Sequence, residues 1–359
     1  MSKRLSVIGL VFIVLVLTAS VSNAQKPKPP KKATTAIGIY DVKSPEEIRK
    51  FSASEIRELI RIENGRPQGR GTIPHPVLIY CFEEQSFRYT GGKYKDKEIK
   101  YRLRTPETIR SDRTYPLVIF LHGRGQAESD NVSSLIHLHT ILPLMIGPDQ
   151  KDFFLLVAQC PAETPFWNFQ STKDGTLDVL MAAVEHVIAE NPIDEKRITV
   201  TGVSGGGWGV WTLLSRYPDY FAGAVPTASG VPQQFQKLTE LKRTPIWSFA
   251  NKGDIYVDTK SIYSAMSVIN HSGGAMALTE CNSPGHNALR PALADYNSLQ
   301  WMLAQKKGSW SPPPGVIVGK SKSFLLAFVM HLLPLAIIFF VLRNTIGEWV
   351  FKVRDSIWE

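Results

Sequence analysis

The chain has 359 residues, of which 43% are apolar and 20% charged, and it carries a formal charge of +9. That balance excludes a disordered polyelectrolyte and leaves room for one large α/β core with short appendages. No basic stripe interleaved with aromatics is present, so nucleic acid is excluded as a partner, and the surplus charge points at most to an anionic membrane surface. The three cysteines, Cys81, Cys160 and Cys281, are odd in number and lack metal-ligand spacing, so no disulfide framework and no metal site are expected.

In chain order, Lys3 and Arg4 precede an apolar run over residues 5–17 that closes in Ser22-Asn23-Ala24. This predicts a secretory signal over 1–24, cleaved after Ala24 or retained as an anchor. Residues 25–43 read as an extended Lys/Pro-rich linker. Ser44-Pro45-Glu46-Glu47 has the form of a helix start, and Ile48, Phe51, Ile56, Leu59 and Ile60 follow at roughly helical spacing. An N-terminal helical extension over 44–76 is therefore expected, with one or two short helices before Arg61.

Residues 77–308 carry the strand and helix alternation of a catalytic domain. Runs at 77–80, 87–89 and 99–103 predict antiparallel strands at a sheet edge, with a turn over 90–93. The continuous apolar runs at 115–121 and 153–158 predict strands buried on both faces. A helix over 177–189 leads to the segment RITVTGVSGGGWGVWTLLS, in which a short β-branched strand turns abruptly into a helix expected from about Trp208. Short strands at 222–226, 245–250 and 275–279 and helices at 258–270 and 292–304 complete the pattern. The fold class is α/β, a mostly parallel doubly wound sheet with antiparallel N-terminal edge strands. The segment between Ala228 and Thr244 is too short for a large cap domain, so the cleft is expected to be open.

Beyond a linker at 309–323, residues 324–342 are apolar apart from His331 and are long enough to cross a bilayer as a helix that Pro334 would kink. With the export signal, this predicts a membrane-anchored protein whose catalytic domain lies outside the cytoplasm, on a periplasmic or extracellular face, with residues 343–359 inside.

The chemistry concentrates at Gly202-Val203-Ser204-Gly205-Gly206, a G-x-S-x-G turn in the strand–turn–helix setting that lifts a serine hydroxyl above a sheet end. A serine hydroxyl needs a base, and the base needs an acid to hold it. Asp254 follows the 245–250 strand and His286 follows the 275–279 strand, which gives the order serine, acid, base at one edge of the sheet. Asp258 is the nearest rival to Asp254, and His122, in a strand-end turn before the serine, reads as a support for its loop. The oxyanion donors expected are the N–H groups of Gly205 and Arg124, the latter because Gly123 lets its loop approach. The Arg124 side chain is either incidental or a contact for an anionic part of the substrate. Trp167 and Trp208 are candidate substrate-binding residues, with ordinary packing as the alternative for each.

The runs PLVIFLHGRGQAESDN, VAQCP, TGVSGGGWG, PIWSFANKGDIYVD and PGHN together resemble secreted α/β-hydrolase esterases of the polyhydroxybutyrate-depolymerase and feruloyl-esterase type, related proteins of which are often labelled predicted peptidases or phospholipase/carboxylesterases. The resemblance spans about residues 99–305. It implies an α/β-hydrolase fold, with Ser204 as nucleophile, Asp254 as acid and His286 as base. It departs from this chain in two places: Phe249-Ala250-Asn251 stands where the family usually has a His-Gly pair, and the membrane tail is not part of the pattern. The expected function is a serine hydrolase that cleaves carboxylic esters through an acyl-enzyme without metal or organic cofactor. An open cleft suits an ester substrate that is polymeric or polysaccharide-linked. The alternatives are a peptidase of the same fold and a catalytically inactive, membrane-anchored binding module.

Overall fold

A computed structural model describes residues 47, 51–64, 73–91, 95–146, 149–161, 167, 175–233, 235, 237–314 and 317–318. The predicted signal, the Lys/Pro linker, the 324–342 span and the tail after it lie outside the described residues. Among the described residues no helix is long and apolar enough to cross a membrane.

Seven consecutive buried residues make β3 (Tyr115–Leu121), and six make β4 (Phe154–Gln159). Such runs cannot face water on either side, and they take the middle of a sheet whose order is β1-β2-β4-β3-β5-β6-β7-β8-β9. The other strands are β1 (Glu83–Arg88), β2 (Glu98–Arg104), β5 (Ile193–Val203), β6 (Gly223–Thr227), β7 (Ile246–Asn251), β8 (Met276–Cys281) and β9 (Ile317–Val318). β1 and β2 pair antiparallel and β2 joins β4 antiparallel, whereas the pairs from β4 to β9 are parallel. The expected doubly wound sheet with an antiparallel N-terminal edge is therefore the observed one. Because β5, β7 and β8 run the same way, the residues that follow them emerge at the same edge.

Four local expectations change. Residues 77–80 are not a strand but part of helix α2 (Pro76–Tyr80), which follows α1 (Ala53–Asn64). Pro76 supplies a preset helical φ in the first turn, and the ring of His75 accepts the Val77 N–H at 3.2 Å, so two local devices override the β-branched run. α1 is capped at Ser52, while the helix start expected at Ser44 lies outside the described residues, of which Glu47 is helical. Ser52 Oγ accepts the Glu55 N–H at 3.3 Å and Glu55 Oε2 accepts the Ser52 N–H at 2.8 Å, a reciprocal capping box. β5 reaches back to Ile193 through a register shift between Tyr115 and Leu117. The final helical stretch is two helices, α7 (Leu289–Ala294) and α8 (Ser298–Ala304), because Asn297 takes a left-handed conformation with φ +51°. Lastly, β9 adds a parallel edge strand from within the predicted 309–323 linker.

Between these lie α3 (Leu142–Met145), α4 (Thr176–Glu190), α5 (Gly205–Arg216) and α6 (Thr259–His271). α5 starts at Gly205, three residues before the expected position. Its first residues press against β3. A Cβ on Gly206 would sit 1.9 Å from the Leu121 carbonyl oxygen, and one on Gly202 would sit 2.6 Å from the Gly206 carbonyl carbon. These contacts are backbone to backbone and cannot be relieved by a rotamer change, so glycine is required at both positions. Gly206→Ala is accordingly expected to cost about 3 kcal/mol or more. Urea unfolding of the variant should give a much lower midpoint, or no folded protein at all, and an unchanged midpoint would contradict this packing.

Candidate active site

Ser204 closes β5 and caps α5 with φ +56° and ψ −117°, a strained combination for a residue with a side chain. The strain is held on both sides: the Ser204 N–H donates to the Thr227 carbonyl at 3.0 Å, and the Ser204 carbonyl accepts the Trp208 N–H at 3.0 Å. The side chain is thereby thrown off the sheet end, and its Oγ lies 2.8 Å from His286 Nε2. On the other side of the ring, His286 Nδ1 lies 2.7 Å from Asp254 Oδ2. A carboxylate can only accept, so Nδ1 carries the proton and Nε2 is left to receive one from the hydroxyl. The Asp254 side chain is 1% exposed and the His286 side chain 27% exposed. The Asp254 carboxylate is thus sealed from water while the imidazole is partly exposed to it.

Asp254 is fixed by its own loop. Its Oδ1 accepts the Tyr256 N–H at 3.0 Å, its N–H donates to the Asn251 carbonyl at 3.2 Å, and its carbonyl accepts the Val257 N–H at 3.3 Å. Asp258, the rival acid, faces elsewhere: it is the N-cap of α6, with Oδ1 accepting the Lys260 N–H at 3.0 Å.

The loop after β3 is built around a buried histidine. His122 Nδ1 donates to the Gly123 carbonyl at 2.7 Å, Nε2 accepts the Cys160 N–H at 2.8 Å, and its carbonyl accepts the Trp167 indole N–H at 3.0 Å. Burial pushes the His122 pKa down to about 4, although the Gly123 carbonyl and Asp130 act in the opposite direction. The ring is therefore a neutral spacer that ties the ends of β3 and β4 together. Gly123 follows it so closely that a Cβ there would lie 3.5 Å from Ser204 Cβ and 3.4 Å from the Val203 carbonyl. This brings the Arg124 backbone, the first residue of a 3₁₀ turn, alongside the serine. Gly205, as the first residue of α5, has an N–H that the helix itself does not use.

The two tryptophans separate. Trp167 is 1% exposed and its ring packs on His122 with centroids 5.2 Å apart, so of its two expected roles the packing one fits, in support of the loop after β3. Its size and its single N–H are satisfied inside the fold, which makes packing the better use of the side chain. Trp208 is half-buried in the first turn of α5, one turn beyond Ser204.

Asn251, part of the Phe249-Ala250-Asn251 departure from the resembled family, has no role assigned by sequence pattern. It ends β7 as a buried polar residue after an apolar run, and its Nδ2 donates to the Gly285 carbonyl at 2.7 Å. One hydrogen bond thus joins the strand that delivers the acid to the residue that precedes the base, at the place where the resembled family differs. The Lys252 N–H to Cys281 carbonyl bond at 2.9 Å closes the same gap one residue further on. A polar side chain at the end of an apolar strand, next to an acid loop, was the available signal.

Strand order, the serine turn and the loop positions are those of one fold. The chain has the α/β-hydrolase fold. Residues 167–273 match the prolyl oligopeptidase family. No curated protein matches the chain. Among solved structures, this α/β-hydrolase is similar to a thermostable esterase, at 27% identity and a TM-score of 0.56 over 64% of each chain, so it spans about two thirds of that protein's length. It is also similar to a Bacteroides ovatus protein assigned as a dipeptidyl aminopeptidase IV, with 15% identity and a TM-score of 0.50 over 63% of this chain and 36% of that one. A ferulic acid esterase shares 12% identity, with a TM-score of 0.48 over 62% of this chain and 97% of that one.

Two outcomes follow from the geometry. Asn251→Ala should lower hydrolytic turnover about tenfold by freeing the Gly285 turn, with the loss in kcat and little change in KM. A loss confined to KM would contradict a role in holding the base loop. The unfolded state protonates His122 near its ordinary value of 6.5, whereas the folded state refuses the proton down to about 4. The sign follows: the contribution is fully present above pH 6.5 and is lost as the pH falls toward 4, by about 3 kcal/mol in total. Imidazole NMR should keep His122 as the neutral Nδ1–H tautomer at pH 5, and an imidazolium signal there would contradict the assignment.

Proposed function

We propose that this α/β-hydrolase is a serine hydrolase that cleaves carboxylic esters through an acyl-enzyme, with Ser204 as nucleophile, His286 as general base and then general acid, and Asp254 as the group that orients and stabilises the imidazolium. The single observation that carries the reading is the unbroken relay of 2.8 Å from Ser204 Oγ to His286 Nε2 and 2.7 Å from His286 Nδ1 to Asp254 Oδ2. Each link lies within the range for proton transfer, and the donor and acceptor roles are consistent at both ends.

The steps follow from those contacts. His286 Nε2 takes the Ser204 proton as Oγ bonds to the ester carbonyl carbon. Negative charge develops on the former carbonyl oxygen, and the N–H groups of Gly205 and Arg124 are the donors for it, each worth about 3 kcal/mol in such sites. Collapse of the tetrahedral species breaks the carbon–oxygen bond to the alcohol, which leaves with the proton from Nε2. Water then attacks the acyl-enzyme with His286 again as base, and the carboxylic acid departs as Oγ regains its proton. No redox partner is consumed.

Export and membrane tethering are part of the proposal and rest on the sequence of residues 1–24 and 324–342 alone. They would set an open site at a membrane, facing ester substrates outside the cytoplasm. A peptidase is the second reading, favoured by the match of residues 167–273 to the prolyl oligopeptidase family. Turnover of p-nitrophenyl acetate against that of peptide anilides separates the two, and faster anilide cleavage would replace the ester reading. Ser204→Ala should abolish turnover, losing about a thousandfold or more, with the fold retained, whereas Asp258→Ala should keep most of it. If the Asp258 variant lost activity and Asp254→Ala did not, the acid assignment would have to move.

A further inference from the structure

Ile255 and Tyr256 follow the acid directly and stand in solvent, 87% and 65% exposed. Single exposed apolar side chains are ordinary on a protein surface, but these two are adjacent and held in place. The Tyr256 N–H is bonded to Asp254 Oδ1 at 3.0 Å, and Val257 beyond it is buried. The Tyr256 ring meets the His286 ring edge-on, with centroids 5.1 Å apart and planes at 65°. An aromatic ring packed against the imidazole, with the exposed Ile255 beside it in the chain, thus borders the Ser204–His286 pair.

Which part of a substrate meets that ring is set by the chemistry. In the acylation step the carbonyl carbon–oxygen bond breaks and the departing oxygen takes the proton from His286 Nε2, so it must lie about 3 Å from that nitrogen. The first carbon atoms beyond it are those of the alcohol. The acyl half stays on Ser204 Oγ, on the side of the Gly205 and Arg124 N–H groups. We propose that Tyr256, together with Ile255, forms a subsite for the alcohol portion of the ester, selective for alcohols that present a flat apolar face, such as aryl and arylmethyl groups. This rests on the ester-hydrolase reading above. A phenol ring that is 65% exposed and an adjacent branched side chain offer stacking and apolar contact, and neither residue brings a charge that would select a polar alcohol.

The test compares kcat/KM for methyl acetate, benzyl acetate and methyl butyrate in the full-length protein and in Tyr256→Ala, Tyr256→Phe and Ile255→Ala. Tyr256→Ala should lower the benzyl-to-methyl acetate ratio about tenfold, and Ile255→Ala should lower it about threefold. Tyr256→Phe should retain the ratio, and the methyl butyrate-to-methyl acetate ratio should be the same in all four proteins. A Tyr256→Ala variant that scales the three esters equally would reduce the ring to a brace for the imidazole and overturn the subsite. So would a change in the acyl ratio alone, or an unaltered alcohol ratio in Tyr256→Ala and Ile255→Ala. Should Tyr256→Ala fail to fold, the Ile255→Ala ratio decides, since that side chain is almost wholly in solvent. Wild-type protein that hydrolyses none of the three esters would overturn the ester reading itself.

Discussion

The His286 imidazole holds two hydrogen bonds at once, to Ser204 Oγ and to Asp254 Oδ2, and this demand governs the upper edge of the sheet. A ring nitrogen pair is rigid and about 2 Å across, so three loops that follow β5, β7 and β8 must arrive within tenths of an ångström of one another. Parallel strands bring the loops to the same edge. Backbone and side-chain ties then remove the remaining slack: Ser204 N–H to the Thr227 carbonyl, Asn251 Nδ2 to the Gly285 carbonyl, and Lys252 N–H to the Cys281 carbonyl. Each tie joins neighbouring strand ends, and together they cover the route from nucleophile to base.

A second layer of support is built from buried polar groups that titrate little. His122 spans Gly123 and Cys160 as a neutral ring, and Trp167 lies under it with its one N–H satisfied. A charged group in that position would be costly to desolvate, and an apolar one would leave the Cys160 N–H without a partner. The same layer keeps the loop after β3 pressed against the serine turn. The ends of β3 and β4 are thus coupled to the serine turn that follows β5 by the side chains of this layer.

Much of this is written in local pattern. Uninterrupted apolar runs predict β3 and β4 almost to the residue, and the glycines at 202 and 206 predict the tight serine turn, because in each case a strict steric or solvation rule leaves one solution. The order of Ser204, Asp254 and His286 along the chain likewise follows from the strand ends that carry them. What escapes local pattern depends on contacts distant in sequence or on competition between weak preferences. Residues 77–80 have strand-forming side chains, yet a proline and a histidine cap turn them into a helix. Trp167 is large enough for a pocket wall or for the core, and only the position of His122 decides between them. Asn251 becomes meaningful once Gly285, 34 residues away, is seen to accept its proton. Most of the sheet between residues 83 and 281 is therefore readable from periodicity and the His122 support from its strand-end position, whereas the Asn251 tie is not.

The proposed hydrolysis requires that Ser204 be the activated hydroxyl. The most direct measurement is reaction of the folded protein with a fluorophosphonate, followed by peptide mass mapping. The arrangement predicts a single covalent adduct, on the peptide containing Ser204, absent from the Ser204→Ala protein and strongly slowed in His286→Ala. Folded protein that takes up no label, or an adduct on a different serine, would contradict it.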